Sequence, residues 1–191
     1  MEENYVVDSV EERLINAGLT ELLHHGIADF SLRRVATAAG VSCAAPYRHF
    51  KDKDELIIGI IDYVLDGWIL LSEEIRDIYI ADLPSAIIEL SVSLVRFFLG
   101  NGNFRSVLTV AMADSDPNRR RELSKFDSPI VETIGQLCAD KLLTEEDGRV
   151  IAYTVLSLIY GTLMLVSRGV NSEACIENMR SKIIMELLGF L

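Results

Sequence analysis

The chain has 191 residues, half of them hydrophobic, and a formal net charge of −11. This composition indicates a soluble globular protein with a large core, built as one compact unit or as a small domain fused to a larger one. The acidic amino terminus has no basic run leading into an apolar stretch, which excludes a signal or transit peptide, so we expect a cytoplasmic protein. Three cysteines without a CxxC spacing give no basis for a disulfide framework.

The first predicted helix follows an acidic arm, residues 1–8, that shows no periodic apolar pattern. Ile15, Gly18, Leu19 and Leu22 are spaced as one face of a helix, and Gly26 is placed to end it. This helix is the first of three that we expect to share a core.

Two shorter helices follow, joined by a tight turn. Ser31 can cap the first of them, and four apolar residues share one of its faces: Leu32, Val35, Ala36 and Ala39. Gly40 can take the left-handed conformation that ends a helix, and a second helix of about two turns is predicted from Cys43 to Phe50. This order of elements is typical of a helix-turn-helix, whose second helix enters the major groove of DNA.

The second of these helices has a predicted inner face formed by Tyr47 and Phe50, with Ser42 as its N-cap. From Ser31 to Lys53, five basic side chains stand against one acidic side chain, a net charge of +4 in an otherwise acidic chain. A local excess of positive charge of this kind indicates contact with a phosphate backbone.

These residues together resemble the amino-terminal domain of the TetR family of transcriptional regulators. About ten positions match over some 26 residues, in the order Ser31, Val35-Ala36, Ala39-Gly40-Val41-Ser42, Tyr47-Arg48-His49-Phe50, Lys53 and Leu56. The resemblance implies an all-α fold, with a three-helix helix-turn-helix DNA-binding domain over residues 1–56 and a larger helical ligand-binding and dimerisation domain over residues 57–191. It also implies a homodimer that binds a palindromic operator in double-stranded DNA as a ligand-responsive repressor.

Three positions depart from the family pattern. The family usually has an apolar residue where this chain has Glu21 and often has alanine where this chain has Gly18, so we expect the first helix to be less stable than in its relatives. Pro46 lacks a backbone N–H, so we expect the start of the second short helix to be tilted or loosened.

The resemblance and the chemistry of the side chains divide the predicted DNA-binding residues into two roles. Tyr47, His49 and Lys53 lie at positions that contact phosphates in TetR relatives, and each can donate to a phosphate oxygen. Arg33 and Arg48 can offer two parallel donors to a guanine edge. The remaining predicted members are Ser31 and four small residues that let the backbone approach the groove: Ser42, Cys43, Ala44 and Ala45.

From Lys53 an apolar residue recurs at every third or fourth position as far as Tyr79, including Ile78, which predicts one helix of about 26 residues. Asp52 and Glu55 are placed to form its capping box. Further breaks are predicted at residues 83–85, 100–103 and 114–117, with a short helix over residues 104–113, and the chain ends in two helices, residues 145–168 and 172–188.

Large apolar and amphipathic side chains in the second domain predict a pocket for a small apolar or aromatic effector, with ordinary core packing as the alternative for each aromatic residue. The predicted ligand-binding residues are Trp68, Phe97, Phe98, Phe104, Arg105, Met112 and Tyr160.

The two carboxy-terminal helices predict a homodimer, because the uncharged run from Val150 to Ser167 adjoins a sharply amphipathic helix. Two such helices from each subunit form a four-helix bundle across a two-fold axis, which is also how TetR relatives dimerise. The run reaches the length of a membrane span but contains tyrosine, serine and threonine, so no membrane partner is expected. The predicted interface residues are Ile151, Val155, Leu158, Thr162, Met179, Ile183 and Leu187.

Two other classes of protein compete with a regulator. An enzyme is disfavoured because the sequence has no HExxH, GxSxG, P-loop or GxGxxG motif and only three histidines. We therefore expect no catalytic residue, no metal and no cofactor. A helical protein-interaction adaptor without DNA binding stays open, since only the helix-turn-helix motif argues against it.

Overall fold

The computed structural model describes residues 9–100, 107 and 116–190. Helices make up most of this described chain and no strand occurs in it, so the predicted all-α fold is confirmed. The predicted arm over residues 1–8, the predicted loop over residues 101–103 and, apart from Val107, the predicted helix over residues 104–113 lie outside the described residues. In chain order the helices are α1 (Val10–His25), α2 (Leu32–Ala38), α3 (Pro46–His49), α4 (Lys53–Ile78), α5 (Leu83–Gly100), α6 (Pro117–Ser124), α7 (Ser128–Lys141), α8 (Glu145–Ser167) and α9 (Ser172–Leu188).

The described chain divides into two compact units. Unit one comprises the described residues within 1–65 and 101–123, and unit two comprises those within 66–100 and 124–191. This division differs from the predicted one at residue 56, because the first turns of α4 belong to unit one. Ile57, Ile60 and Ile61 are fully buried there, and Ile60 lies against Gly18 of α1.

Helix α1 forms as predicted and supplies much of the core of unit one. Its amino end has a capping box, in which the Ser9 hydroxyl accepts the N–H of Glu12 and the Glu12 carboxylate accepts the N–H of Ser9. Gly26 ends the helix at a φ of 64°. A Cβ atom on Gly18 would lie 2.5 Å from Cδ1 of Ile60, so a larger residue here would require the end of the Ile60 side chain to move.

Helix α4 has the predicted length of 26 residues but begins and ends with small differences from the prediction. Asp52 accepts the N–H of Glu55 at 3.0 Å, whereas the Glu55 carboxylate accepts the N–H of Lys51 instead of that of Asp52. The predicted capping box is therefore half formed. Ile78, predicted to lie on the buried stripe, is the last residue of the helix and is 74% exposed.

Unit two is built around α5, which packs against α7, α8 and α9. Helix α7 begins with Pro129 in its first turn, where a missing N–H is harmless. Helix α8 begins with a capping box, because the Thr144 hydroxyl accepts the N–H of Asp147 at 3.1 Å and the Asp147 carboxylate accepts the N–H of Thr144 at 2.9 Å. Its predicted start at residue 145 is confirmed.

Helices α5 and α8 have the length and apolar composition of a membrane span. The core helices of soluble proteins have the same properties, and the apolar residues that α5 buries include Ile87, Leu90 and Leu94. Composition alone therefore does not distinguish the two cases.

Candidate nucleic-acid interface

The candidate interface begins with α2 and the turn that follows it in unit one. The Ser31 hydroxyl accepts the N–H of Arg34 at 3.5 Å and caps the helix as predicted. At the other end, Gly40 has a φ of 68°, its N–H donates to the Thr37 carbonyl, and the Val41 N–H donates to the Ala36 carbonyl. These two bonds form a Schellman motif, which ends α2 sharply and turns the chain toward α3.

Helix α3 is shorter than predicted. It begins at Pro46 instead of Cys43, and the residues before it form a turn in which the Ala45 N–H donates to the Ser42 carbonyl at 2.9 Å. Pro46 has no N–H to extend the helix backwards, and its ring fits the first helical position, so the helix starts there. The predicted cap by the Ser42 side chain is wrong for the same reason, because Ala45 holds the cap position and offers no side-chain bond.

The inner face of α3 also differs from the prediction. Pro46 and Phe50 are buried, with Phe50 5% exposed, whereas Tyr47 is 62% exposed. Starting the helix at residue 46 turns the Tyr47 side chain outward. An exposed phenol is free to donate to a phosphate, so the position predicted for Tyr47 in the core is wrong and its predicted role in DNA contact stays a prediction.

The structure brings the predicted DNA-binding residues to α2, the turn, α3 and the first residue of α4. Seven of them are exposed: Arg33, Ser42, Cys43, Ala44, Tyr47, Arg48 and His49. Three are partly buried: Ser31, Ala45 and Lys53. The helix-turn-helix therefore presents mostly exposed polar and small side chains.

Two of the predicted phosphate contacts already have partners in the chain. The Lys53 ammonium donates to the Ile27 carbonyl at 2.6 Å, and Nδ1 of His49 lies 3.7 Å from the Glu11 carboxylate. The first bond ties the start of α4 to the connection between α1 and α2. Because an ammonium has three donors, Lys53 keeps two for another acceptor.

An ion pair between the buried Glu21 and the half-exposed Arg34 was not predicted from the sequence. Glu21 is 7% exposed, and its Oε1 atom accepts the N–H of Ser31 at 3.1 Å and Nε of Arg34 at 2.8 Å. Because Arg34 is paired with Glu21, it contributes less to the net positive charge counted from Ser31 to Lys53. The signal in the sequence was the acidic Glu21 beside the buried Leu22 in an apolar helix face.

Four of the predicted ligand-binding residues lie in or beside an aromatic cluster of unit two. Trp68 is fully buried and its indole N–H donates to the Phe126 carbonyl at 2.9 Å. Ring centroids lie 5.9 Å apart for Trp68 and Phe97, 5.8 Å for Phe97 and Phe98, and 5.2 Å for Phe98 and Phe126. Trp68 and Phe98 are therefore core residues, the alternative left open for each aromatic, whereas Phe97 is partly exposed.

Tyr160, the fourth of them, is also partly exposed, and its hydroxyl donates to Asp127 at 2.7 Å. Burial raises the pKa of Asp127, although the hydrogen bond from Tyr160 opposes this. Burial and the neighbouring carboxylate raise the pKa of Tyr160 as well, so its hydroxyl stays a donor. The other predicted ligand residues lie outside the described residues: Phe104, Arg105 and Met112.

The predicted dimer residues on α8 and α9 need correction. Six of the seven are buried inside unit two of a single chain, where they cannot form a surface: Ile151, Val155, Thr162, Met179, Ile183 and Leu187. Leu158 is partly exposed. The exposed apolar side chains of the same two helices are Val150, Tyr153, Met164 and Leu165 on α8, and Ile184, Met185 and Leu188 on α9.

Comparison with known proteins identifies relatives of this segment by sequence and of the chain by fold. Residues 14–60 match the family described as bacterial regulatory proteins, tetR family. A curated relative, an HTH-type transcriptional regulator of Staphylococcus aureus, is 31% identical over 80 residues, which cover 39% of this chain and 42% of the relative. The matched part thus spans less than half of that relative.

Several solved structures resemble nearly the whole chain. A TetR transcriptional regulator from Legionella pneumophila aligns over 93% of this chain and 97% of its own, at 19% identity and a TM-score of 0.74. The transcriptional regulator FadR from Bacillus subtilis, in complex with stearoyl-CoA, aligns over 88% of this chain and 97% of its own, at 15% identity and a TM-score of 0.70. At these identities the likeness shows the fold.

The all-helical fold and the exposed turn between α2 and α3 define a helix-turn-helix protein with a second helical unit. The family match covers α1, α2, α3 and the start of α4. The predicted resemblance to the TetR family is therefore confirmed for the helix-turn-helix segment, residues 14–60.

Proposed function

We propose that this protein is a transcriptional repressor that binds a palindromic operator in double-stranded DNA as a homodimer and is released by a small apolar or aromatic effector. It acts in the cytoplasm, as a regulator and not as an enzyme, without a cofactor. The observation that carries the proposal is the exposed helix-turn-helix within a segment that matches the TetR family.

Charge supports DNA as the partner of this surface. Arg33, Arg48 and Lys51 are exposed, and none of them has an ion pair with another described residue. Exposed cations without an internal partner release counterions when they meet phosphates, which drives binding to DNA. Arg48 follows the exposed Tyr47 on α3, so a base-reading and a phosphate-binding side chain lie next to each other.

The exposed apolar face of α8 and α9 supports a homodimer. It consists of the seven residues named above, and Tyr153 and Leu188 are 76% and 66% exposed. Several exposed apolar side chains on two helices that pack together are typical of an interaction surface. Two copies related by a two-fold axis would bury it in a four-helix bundle and present two recognition helices to the two halves of a palindrome.

The effector belongs in unit two. Phe97 and Tyr160 are the predicted ligand residues with partial exposure there, and they offer one apolar ring and one hydroxyl. The likeness in fold to FadR, whose solved structure holds stearoyl-CoA, supports a ligand-responsive unit with room for apolar groups.

The roles of the DNA-binding residues are tested with binding isotherms at several salt concentrations, on a duplex from upstream of the gene and on a scrambled duplex. Lys53→Ala removes a phosphate contact, so we expect affinity to fall equally on both duplexes and the salt slope to flatten by about one per subunit, or about two per dimer. Arg48→Ala removes a base contact and is expected to cost roughly 1–3 kcal/mol, mainly on the upstream duplex.

Thermal unfolding of both variants is the control, because Lys53 also holds the Ile27 carbonyl. The assignment fails if Lys53→Ala changes specificity while Arg48→Ala changes only the salt dependence. Equal and weak binding of every duplex by the wild-type protein would favour the adaptor over the repressor.

A further inference from the structure

Glu21 lies where a carboxylate is costly. It belongs to the buried face of α1 and is 7% exposed, between the core residues Leu19 and Leu22. An isolated charge at such a position is strongly destabilising, and a paired one is tolerated only when its oxygens are hydrogen-bonded. A residue of this kind needs a specific partner to persist in the fold.

The partner of Glu21 is the amino end of α2. The carboxylate accepts the N–H of Ser31, the residue that caps α2, and two nitrogens of Arg34 in its first turn. A carboxylate at this end of a helix also interacts favourably with the helix dipole. Burial raises the pKa of Glu21, but the bonds from Arg34 and Ser31 more than offset this and hold the pKa below its ordinary value.

Arg34 is engaged from a second side. One of its terminal nitrogens also donates to the Asp29 carbonyl, in the connection between α1 and α2. The guanidinium therefore joins α1, the connection and α2. Its neighbour Arg33 is exposed and has no ion pair with another described residue.

We propose that Glu21 is a positioning residue for DNA recognition, which fixes the amino end of α2 and holds Arg34 away from the phosphate backbone. Two adjacent arginines then have different tasks: Arg33 contacts DNA, and Arg34 holds the helix that carries Arg33. The inference rests on the proposed function, since it concerns the DNA contacts of that same surface.

The test compares the salt dependence of binding to a scrambled duplex for four variants of the full-length protein. Arg33→Ala is the matched control, because it removes one charge at the neighbouring position, and it should flatten the slope by about one per subunit. Arg34→Ala should leave the slope unchanged. Glu21→Gln releases Arg34 and should steepen the slope by about one per subunit, and Glu21→Gln/Arg34→Ala should return it to the wild-type value.

Thermal unfolding without DNA measures the pair separately. Arg34→Ala removes the guanidinium from the Glu21 carboxylate, which keeps the Ser31 N–H and has His25 at 3.8 Å, and we expect the melting temperature to fall by on the order of 2–4 °C. The double variant should lose less than the sum of the two single variants, because each single change breaks the same contact. If Arg34→Ala does not fold, the double variant replaces it, since glutamine is uncharged and its oxygen can still accept the Ser31 N–H.

The inference is overturned if Arg34→Ala flattens the slope as Arg33→Ala does, if Glu21→Gln leaves the slope unchanged, or if the effects on melting temperature are additive. A purely structural Glu21 would lower the affinity without steepening the slope. Failure of the proposed function is a different result: the wild-type protein would then bind the upstream and scrambled duplexes equally weakly or not at all, whereas the coupling between Glu21 and Arg34 would still be measured in unfolding.

Discussion

The buried Glu21 and the half-buried Asp127 illustrate how partners decide the effect of burial on the pKa of a carboxylate. The pKa of Glu21 lies below its ordinary value because Arg34 and the Ser31 N–H outweigh burial. The pKa of Asp127 lies above its ordinary value because burial outweighs the hydrogen bond from Tyr160, and the described residues offer Asp127 no ion pair. The charged form of Glu21 is therefore stabilised by its partners, whereas ionisation of Asp127 is unfavourable.

At the residue scale we predict that Asp127→Asn stabilises the protein at neutral pH. An acid whose pKa is raised by folding contributes stability that is fully present below its unfolded pKa and is lost as pH rises through the folded pKa. Asparagine keeps an oxygen for the Tyr160 hydroxyl and carries no charge at any pH. Melting curves should therefore show a higher melting temperature for the variant at pH 7 and a difference that shrinks toward about pH 4.

Asp147→Asn is the matched control with the opposite sign. Hydrogen bonds from Thr144 lower the pKa of Asp147, so its stabilising effect is present above the unfolded pKa and is lost as pH falls. This variant should melt below the wild type at pH 7, with a gap that closes in acid. Parallel curves for Asp127→Asn and the wild type at every pH would contradict the prediction.

At the element scale, the helices that the sequence predicts best are those with local signals at both ends. Ser9 and Gly26 bracket α1, and Thr144 begins α8, each through bonds within a few residues. Helix α3 was predicted too long, because its apolar residues continue on the amino-terminal side of Pro46. The helix begins at Pro46 instead, since proline has no backbone N–H donor. The pairing of Glu21 with Arg34 joins two helices, so no local pattern shows it.

The buried face of α8 could not be chosen from its sequence. Apolar residues surround most of this helix, so one apolar face packs within the chain while another stays exposed. Val155 is fully buried whereas Tyr153, two positions earlier, is 76% exposed. The periodicity indicates that a partner exists but not which face meets it, and this is why the predicted interface residues turned out to be core residues.

We predict that a charge on the exposed face of α9 separates the dimer without unfolding the subunit. Met185 is 64% exposed, so Met185→Lys should leave helical circular dichroism unchanged and weaken dimerisation by roughly 100-fold or more, if the interface buries about 2,000 Å². Sedimentation at several concentrations measures the change.

Two control variants separate the interface from the core and from other exposed surface. Ile183→Lys, in the core, should cause loss of the fold, since Ile183 is fully buried. Leu70→Lys places the same charge on an exposed residue of α4 and should leave the dimer intact. A wild-type protein that sediments as a stable monomer at micromolar concentration would contradict the dimer itself.

At the scale of the whole molecule, family and architecture follow from the sequence more readily than the ligand does. The helix-turn-helix is specified by residues close together in the chain, such as Ser31 and Gly40, whose caps and turns act locally. A ligand site is assembled from side chains far apart in the chain, and an aromatic residue such as Trp68 serves equally well in a core. This is why the motif predicted the class of protein, while the predicted pocket residues divided between core and partial exposure.

Binding of the effector and binding of the operator are expected to be coupled. An effector can release DNA only if it binds one state of the protein more tightly than the other, and the coupling must then be reciprocal. A ligand found by thermal-shift screening should weaken operator binding by about 5–150-fold, and a saturating operator duplex should weaken binding of that ligand by the same factor. Isothermal titration in the presence and absence of each partner measures both factors.

Arg48→Ala provides the control for this cycle. It removes a proposed base contact on α3, so it should leave the affinity for the ligand alone unchanged and should raise the operator concentration that weakens ligand binding by the factor that corresponds to roughly 1–3 kcal/mol. Two unequal factors would mean that the ligand and the DNA do not act on one shared equilibrium. If every stabilising ligand left operator affinity unchanged, the ligand-responsive part of the proposed function would be contradicted, while DNA binding by the exposed helix-turn-helix would be unaffected.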